Sequence, residues 1–248
     1  MSEARSDNPA RRILRVEWDQ FPPVIVHSTI AKLKAHPAYA AAKAGDLLAA
    51  LALAKAVIKP EKVTERFDYV VPVVQVDTGK FNAIPVAMAR ALARANQAQI
   101  WLETVQTNVV GHTGASGLHR LLYQPEFGGE PPPAGARVLI CDDVVTYGSS
   151  LANLRGFLEQ RGVKVVRATA VGAGYGSTRL APEVPLIKNL VTLYGSELER
   201  FTDRLGFEPE QLTGRESHHL SGFRSVERFR TELAQGAGAP ARGPRRRL

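Results

Sequence analysis

Two adjacent acids, Asp142 and Asp143, end the apolar run Val138-Leu139-Ile140-Cys141 and open the segment Val144-Val145-Thr146-Tyr147-Gly148-Ser149-Ser150. These residue types describe a sugar-phosphate site. Gly148 takes positive φ without a Cβ penalty and lets the backbone approach an anion, while the Thr146, Ser149 and Ser150 hydroxyls donate hydrogen bonds to it. Successive N–H groups in such a turn form an anion-binding nest. Vicinal carboxylates repel a bare phosphate, so Asp142 and Asp143 read as acceptors for sugar hydroxyls or as groups that orient a ligand-bound cation. The apolar run has the length of a fully buried strand, and Leu151, Leu154 and Leu158 give residues 149–161 helical spacing. A strand, loop, helix unit puts the loop where open α/β sheets bind ligands, with free N–H groups of the helix start behind it.

The segment 138–150 resembles the phosphoribosyl pyrophosphate (PRPP) signature of the type I phosphoribosyltransferases: apolar residues, two acids, two apolar residues, Thr, a variable residue, Gly, any residue, then Ser or Thr. The resemblance implies that Asp142 and Asp143 contact the ribose 2′ and 3′ hydroxyls and that Thr146, Tyr147, Gly148, Ser149 and Ser150 hold the 5′-phosphate. Tyr147 departs from the commonest residue at a position that varies, and it narrows the pocket or stacks on a substrate.

A second piece of the site is expected on the loop 72–82, where Thr78, Gly79 and Lys80 lead into a helix. Backbone N–H groups with a cation suit a pyrophosphate leaving group, whose charge rises as its bond to the sugar breaks. The Gly-Lys-Phe-Asn wording is similar to the Arg-Gly-Phe-Asn of the competence-factor ComF branch, with cation and glycine exchanged. A third piece is the glycine-rich stretch 108–130, read as a lid or binding loop. Here His112 and Arg120 are the candidate pyrophosphate contacts and catalytic groups, and closure would keep water from the activated sugar. The His-Thr-Gly and His-Arg wording there, with Ala-Lys-Ala-Gly-Asp at 42–46, is similar to phage- and plasmid-borne phosphoribosyltransferase-like proteins. The resemblance implies PRPP as donor and Mg²⁺ held mainly by ribose hydroxyls, pyrophosphate oxygens and waters, with no direct protein ligand.

These loops need a scaffold, and the chain reads as one. Residues 67–74, 98–105, 137–141 and 164–172 are β-rich runs, alternating with helical spacing over 81 or 84 to 95 and 149–161, which predicts an α/β fold with a parallel sheet flanked by helices. A further strand is expected at about 187–194, before a charged, mostly helical region that runs to 232. Residues 1–66 form an N-terminal helical segment, 67–180 the core, and 181–248 a C-terminal strand and helical extension with a disordered basic tail. The acceptor would be recognised by a hood from residues 18–36 or 215–230, and Tyr175 stands ready either to stack on a ring or to be a plain turn aromatic.

Composition sets the outer bounds. At 248 residues the chain suits one large α/β domain with additions, and 44% hydrophobic with 23% charged residues is ordinary for a globular protein. The single Cys141 excludes an internal disulfide framework, fits a reducing compartment, and reads as a small buried hydrophobe. Residues 1–15 lack the apolar core of a signal peptide, and Lys43, Asp46 and Lys55 interrupt the alanine-rich run 38–58, so a cytoplasmic protein with no membrane span is expected. The net charge of +8 is partly local: Arg11, Arg12 and Arg15 at the start and Arg242, Arg245, Arg246 and Arg247 at the end read as solvated basic ends open to nucleic acid. A homodimer is compatible with the reading. Three functional classes stay open: an Mg²⁺-dependent transferase moving phosphoribosyl from PRPP to a nucleobase or other nitrogen nucleophile, a non-catalytic PRPP- or nucleotide-sensing or nucleic-acid-linked protein of the same fold, and a hydrolase in which water replaces the base.

Overall fold

The computed structural model of the chain describes residues 14–75, 81–108, 110 and 117–238. The N-terminal part runs β1 (Ile25–Val26), α1 (Ile30–Ala35), α2 (Tyr39–Lys43), α3 (Leu47–Val57), β2 (Tyr69–Pro72), α4 (Ile84–Asn96) and β3 (Gln99–Ile100). Then come β4 (Thr104–Gln106), α5 (Gly117–Leu122), β5 (Phe127–Gly129), β6 (Arg137–Val145), α6 (Ser149–Glu159) and β7 (Lys164–Ala173). Helices α7 (Val184–Tyr194), α8 (Ser196–Leu205), α9 (Gly214–Ser221) and α10 (Val226–Gly238) follow. Five strands form a sheet in the order β1-β7-β6-β2-β3, with every neighbouring pair parallel, as the alternation of strand and helix patterns predicts.

The central strand β6 is apolar without interruption from Val138 to Cys141, where both its faces are covered. Leu139 and Cys141 pack with Leu53, Met88 and Leu92 of the α3 and α4 layer, whereas Val138 and Ile140 pack with Leu154 and Phe157 of α6. Helix α4 places Ile84, Met88 and Leu92 in the core, as their spacing requires. Cys141 is buried, its thiol donates to the Pro85 carbonyl at 3.6 Å, and burial pushes its pKa up, so it behaves as a small hydrophobe. The alanine-rich stretch is divided between α2 and α3 at Gly45, whose φ is +105°, and Asp46 caps α3 by accepting from the Ala49 amide. Among the described residues no helix is long and apolar enough to cross a membrane.

Several expectations are corrected. Residues 184–194 form helix α7, with Ile187, Leu190 and Tyr194 buried along one face and Pro185 in the first turn. The run 98–105 is split: after β3 the chain leaves the sheet, Thr104 Oγ1 donates to the Glu130 carbonyl, and β4 pairs antiparallel with β5. Strand β6 continues past Cys141 to Val145, so both acids lie in the strand, Asp142 beside Ala170 of β7. The N-terminal segment is helical but also gives the sheet its edge strand β1. Arg15 is a buried residue, 4% exposed. Within the stretch 108–130, Leu118 and Leu121 of α5 join a third core cluster with Leu190, Leu198, Phe201 and Phe229 of the C-terminal helices.

Candidate functional site

A cleft of about 530 Å³ opens at the carboxyl ends of the strands. Side chains alternate along β6, so Asp143 shares the face of Leu139 and Cys141, the face that carries α2 and α4. That parity explains its partners. Lys43 Nζ donates to Asp143 Oδ2 at 2.5 Å and Asn82 Nδ2 donates to the same oxygen at 3.0 Å, while Oδ1 accepts from the Val144 amide at 2.8 Å. Asp142 Oδ1 accepts from the Asp143 amide at 2.7 Å. Burial, reinforced by the Asp143 charge, pushes the Asp142 carboxyl well above the ordinary range. Burial alone would lower Lys43, but the Asp143 carboxylate outweighs it and holds the ammonium above its ordinary value. Asp143 Oδ2 is already shared by an ammonium and an amide, so its donor set does not fit a directly coordinated Mg²⁺.

Beyond the acids the chain turns through Thr146 and Tyr147 into α6, capped by Gly148 at φ +81°. Its positive φ favours glycine, and a Cβ there would also crowd the end of the Leu180 side chain, 2.5 Å away. Thr146 Oγ1 accepts from Arg120 Nη1 at 3.3 Å, which brings this arginine of α5 to the loop. Burial pulls the Arg120 pKa down, yet a guanidinium stays charged at neutral pH. Ser150 lines the cleft. Ser149 also lines it, but its hydroxyl donates to Glu216 Oε1 at 2.6 Å, so its side chain anchors the loop and its place at the helix start is what faces a ligand.

The C-terminal helices hold this loop from outside the sheet. Thr213 Oγ1 donates to the Tyr147 carbonyl at 2.5 Å, and the Tyr147 hydroxyl shares a 3.0 Å hydrogen bond with His219 Nδ1. Burial, then the Arg215 charge, holds His219 below its ordinary pKa. Beneath Ser149 lies a buried network: Arg15 grips Glu216 through two contacts of 2.7 and 2.9 Å, donates to Asn153 at 2.7 Å, and meets Gln124 at 3.1 Å. Burial would raise Glu216, but Arg15 prevails and keeps it below the ordinary value.

Asp142, Asp143, Arg120, Thr146, Tyr147, Gly148, Ser149 and Ser150 all line one cleft. Thr78, Gly79, Lys80 and His112 lie outside the described residues, although Phe81 and Asn82, at the end of the same loop, line the cleft. Tyr175 is 97% exposed and is not among the cleft's lining residues. From the two hood segments, Ile30 and Lys34 line the cleft and His219 braces Tyr147. Sequence reasoning missed Tyr39, Lys43, Thr213 and Glu216. One signal was available: Tyr39 and Lys43 stand four apart in a helix otherwise made of alanine, so they share a face.

No protein-family model matches the chain. Among curated proteins it is similar to "Protein TraN" of Escherichia coli, 32% identical over 231 residues, covering 90% of this chain and 51% of that protein. It is also similar to an uncharacterized protein of Haemophilus influenzae, 34% identical over 153 residues, covering 58% of this chain and 34% of that one. The chain thus spans about half the length of the first relative and a third of the second. Similar solved structures include the adenine phosphoribosyltransferase of Saccharomyces cerevisiae, at 17% identity and a TM-score of 0.32, covering 53% of this chain and 71% of that chain.

Proposed function

We propose that the protein binds PRPP and transfers its 5-phosphoribosyl group to a nitrogen nucleophile of the nucleobase class, releasing pyrophosphate. The observation that carries this reading is the junction of β6 with α6, where an acid pair and a glycine-capped hydroxyl loop share one cleft at the strand ends. The 5′-phosphate would sit against the α6 start, taking N–H groups of the turn, the Thr146 and Ser150 hydroxyls and the Arg120 charge. Asp143 and Asp142 would then meet the ribose hydroxyls and fix the orientation of the anomeric carbon. As the bond from that carbon to pyrophosphate breaks and the bond to the base nitrogen forms, the carbon gains positive character, which the Asp143 carboxylate offsets. Pyrophosphate leaves with the electron pair, and the base gives up its N–H proton to that leaving anion or to water. Such chemistry needs no covalent nucleophile from the chain, only positioning and electrostatics.

The direct test mixes the protein with PRPP, Mg²⁺ and a panel of nucleobases and follows pyrophosphate. Base-dependent release is expected, and Asp143→Asn is expected to reduce it by about 10²–10³-fold, the usual effect of removing one electrostatic group, with an unchanged circular-dichroism spectrum. PRPP binding with no release for any base would move the protein to the ligand-sensing class. Base-independent formation of ribose 5-phosphate would make it a hydrolase.

A further inference from the structure

The acid pair of the cleft carries its own cation. Lys43 and Asn82 come from different elements and converge on one oxygen, Asp143 Oδ2. Helix α2, which carries the lysine, is seated firmly: Ala42 is fully buried, and its carbonyl accepts from the Ala83 amide at 3.1 Å, next to Asn82. The Lys43 side chain is 42% exposed against 10% for Asp143, so a part-open lysine at the cleft meets a nearly buried carboxylate. An ammonium has three donors. Its hydrogen bond among the described residues is the one to Asp143, and this leaves two N–H groups at the cleft for oxygens of a ligand.

We propose that Lys43 is a built-in counter-ion of the ribose-binding acids and stands in for a divalent cation, so that PRPP binds this cleft without metal. The inference rests on the donor reading given above. A divalent ion at Asp143 would meet a like charge in direct contact with its own ligand oxygen, whereas the ammonium already neutralises that carboxylate and can bridge from it to anionic oxygens on the sugar's first carbon. Tyr39, one turn earlier on the same face, also lines the cleft, so α2 presents one ring and one charge there.

Isothermal titration of the full chain with PRPP, once in excess EDTA and once in Mg²⁺, tests this directly. The wild-type protein should bind equally in both conditions. Lys43→Met should bind about tenfold or more weakly in EDTA, the worth of a charged hydrogen bond, and regain affinity when Mg²⁺ is added; Lys43→Arg should keep metal-free binding. Wild-type binding in Mg²⁺ that disappears in EDTA would overturn this inference and leave the donor reading standing. Absence of PRPP binding in both conditions would overturn the donor reading and this inference with it. The wild-type comparison tests metal-free binding even where a variant fails to fold, and folded Lys43→Met that binds as tightly as wild type in EDTA would overturn the role of the lysine.

Discussion

Asp142 and Asp143 are chemically identical neighbours, yet the strand sends them into different surroundings. Asp143 faces Lys43 and Asn82, while Asp142 answers mainly to its own neighbour and to burial, which push its carboxyl upward. This has a stability consequence. In the unfolded chain Asp142 ionises above about pH 3.9, but in the folded protein it holds its proton to a higher pH. Folding therefore loses stability as pH rises from that value through the raised folded pKa. Asp142→Asn should remove the loss, raising the melting temperature at pH 7 by about 2–4 °C for each kcal/mol gained, with no gain at pH 3. Thermal melts across that range check the prediction, and a variant that is stabilised only at acid pH would contradict it. The acids and Gly148 were legible in the sequence because their roles are set by types and spacing within a dozen residues. Lys43 was not, because its partner lies 100 positions away and a lysine in an alanine helix reads as a solvent-facing residue.

Element by element, the loop before α6 owes its shape to α9 as much as to β6. Helix α9 begins with a capping box in which Thr213 and Glu216 satisfy each other's backbone amides. Both residues also reach outward, Thr213 to the Tyr147 carbonyl and Glu216 to Ser149 and Arg15. Glu216→Gln leaves the Arg15 guanidinium buried with no charged partner there, so it should destabilise the protein by about 3–5 kcal/mol. Because the Glu216 pKa is depressed by Arg15, the carboxylate's contribution is present above about pH 4.3 and is lost as pH falls through the folded value. The melting gap between wild type and variant should therefore be wide at pH 7 and close toward pH 3; a gap independent of pH would rule out the ion pair as its source. Helix α9 shows its start in its sequence, but the direction of its side chains is a tertiary fact. Helix α7 shows the reverse problem. The β-branched residues of Ile187-Lys188-Asn189-Leu190-Val191-Thr192 suit a strand, and the spacing of Ile187, Leu190 and Tyr194 against the third cluster decided for helix.

On the scale of the whole molecule, the C-terminal helices build a core cluster of their own and meet the rest of the chain through α5, Trp18 and the Arg15–Glu216 pair. Helix α5 buries Leu121 completely, and its cluster is built mainly from residues beyond 181. Trp18, packed with the α6 layer, donates its indole N–H to the Leu212 carbonyl at 2.9 Å, and Arg15 of the N-terminal segment is neutralised by Glu216. A chain cut after Ala181 would expose Leu118 and Leu121, leave the Arg15 charge unpaired, and free the Tyr147 carbonyl and Ser149 hydroxyl that α9 now holds. Such a chain should bind a hydrophobic dye and unfold without a sharp thermal transition, and ribose 5-phosphate should not protect it. A truncated protein that melts cooperatively and gains stability from ribose 5-phosphate would instead show that residues up to 181 form an independent domain. The distinction matters for the site, because an independent core would make the α9 clasp an accessory, whereas a cooperative whole makes the loop before α6 a joint product of the sheet and the C-terminal helices.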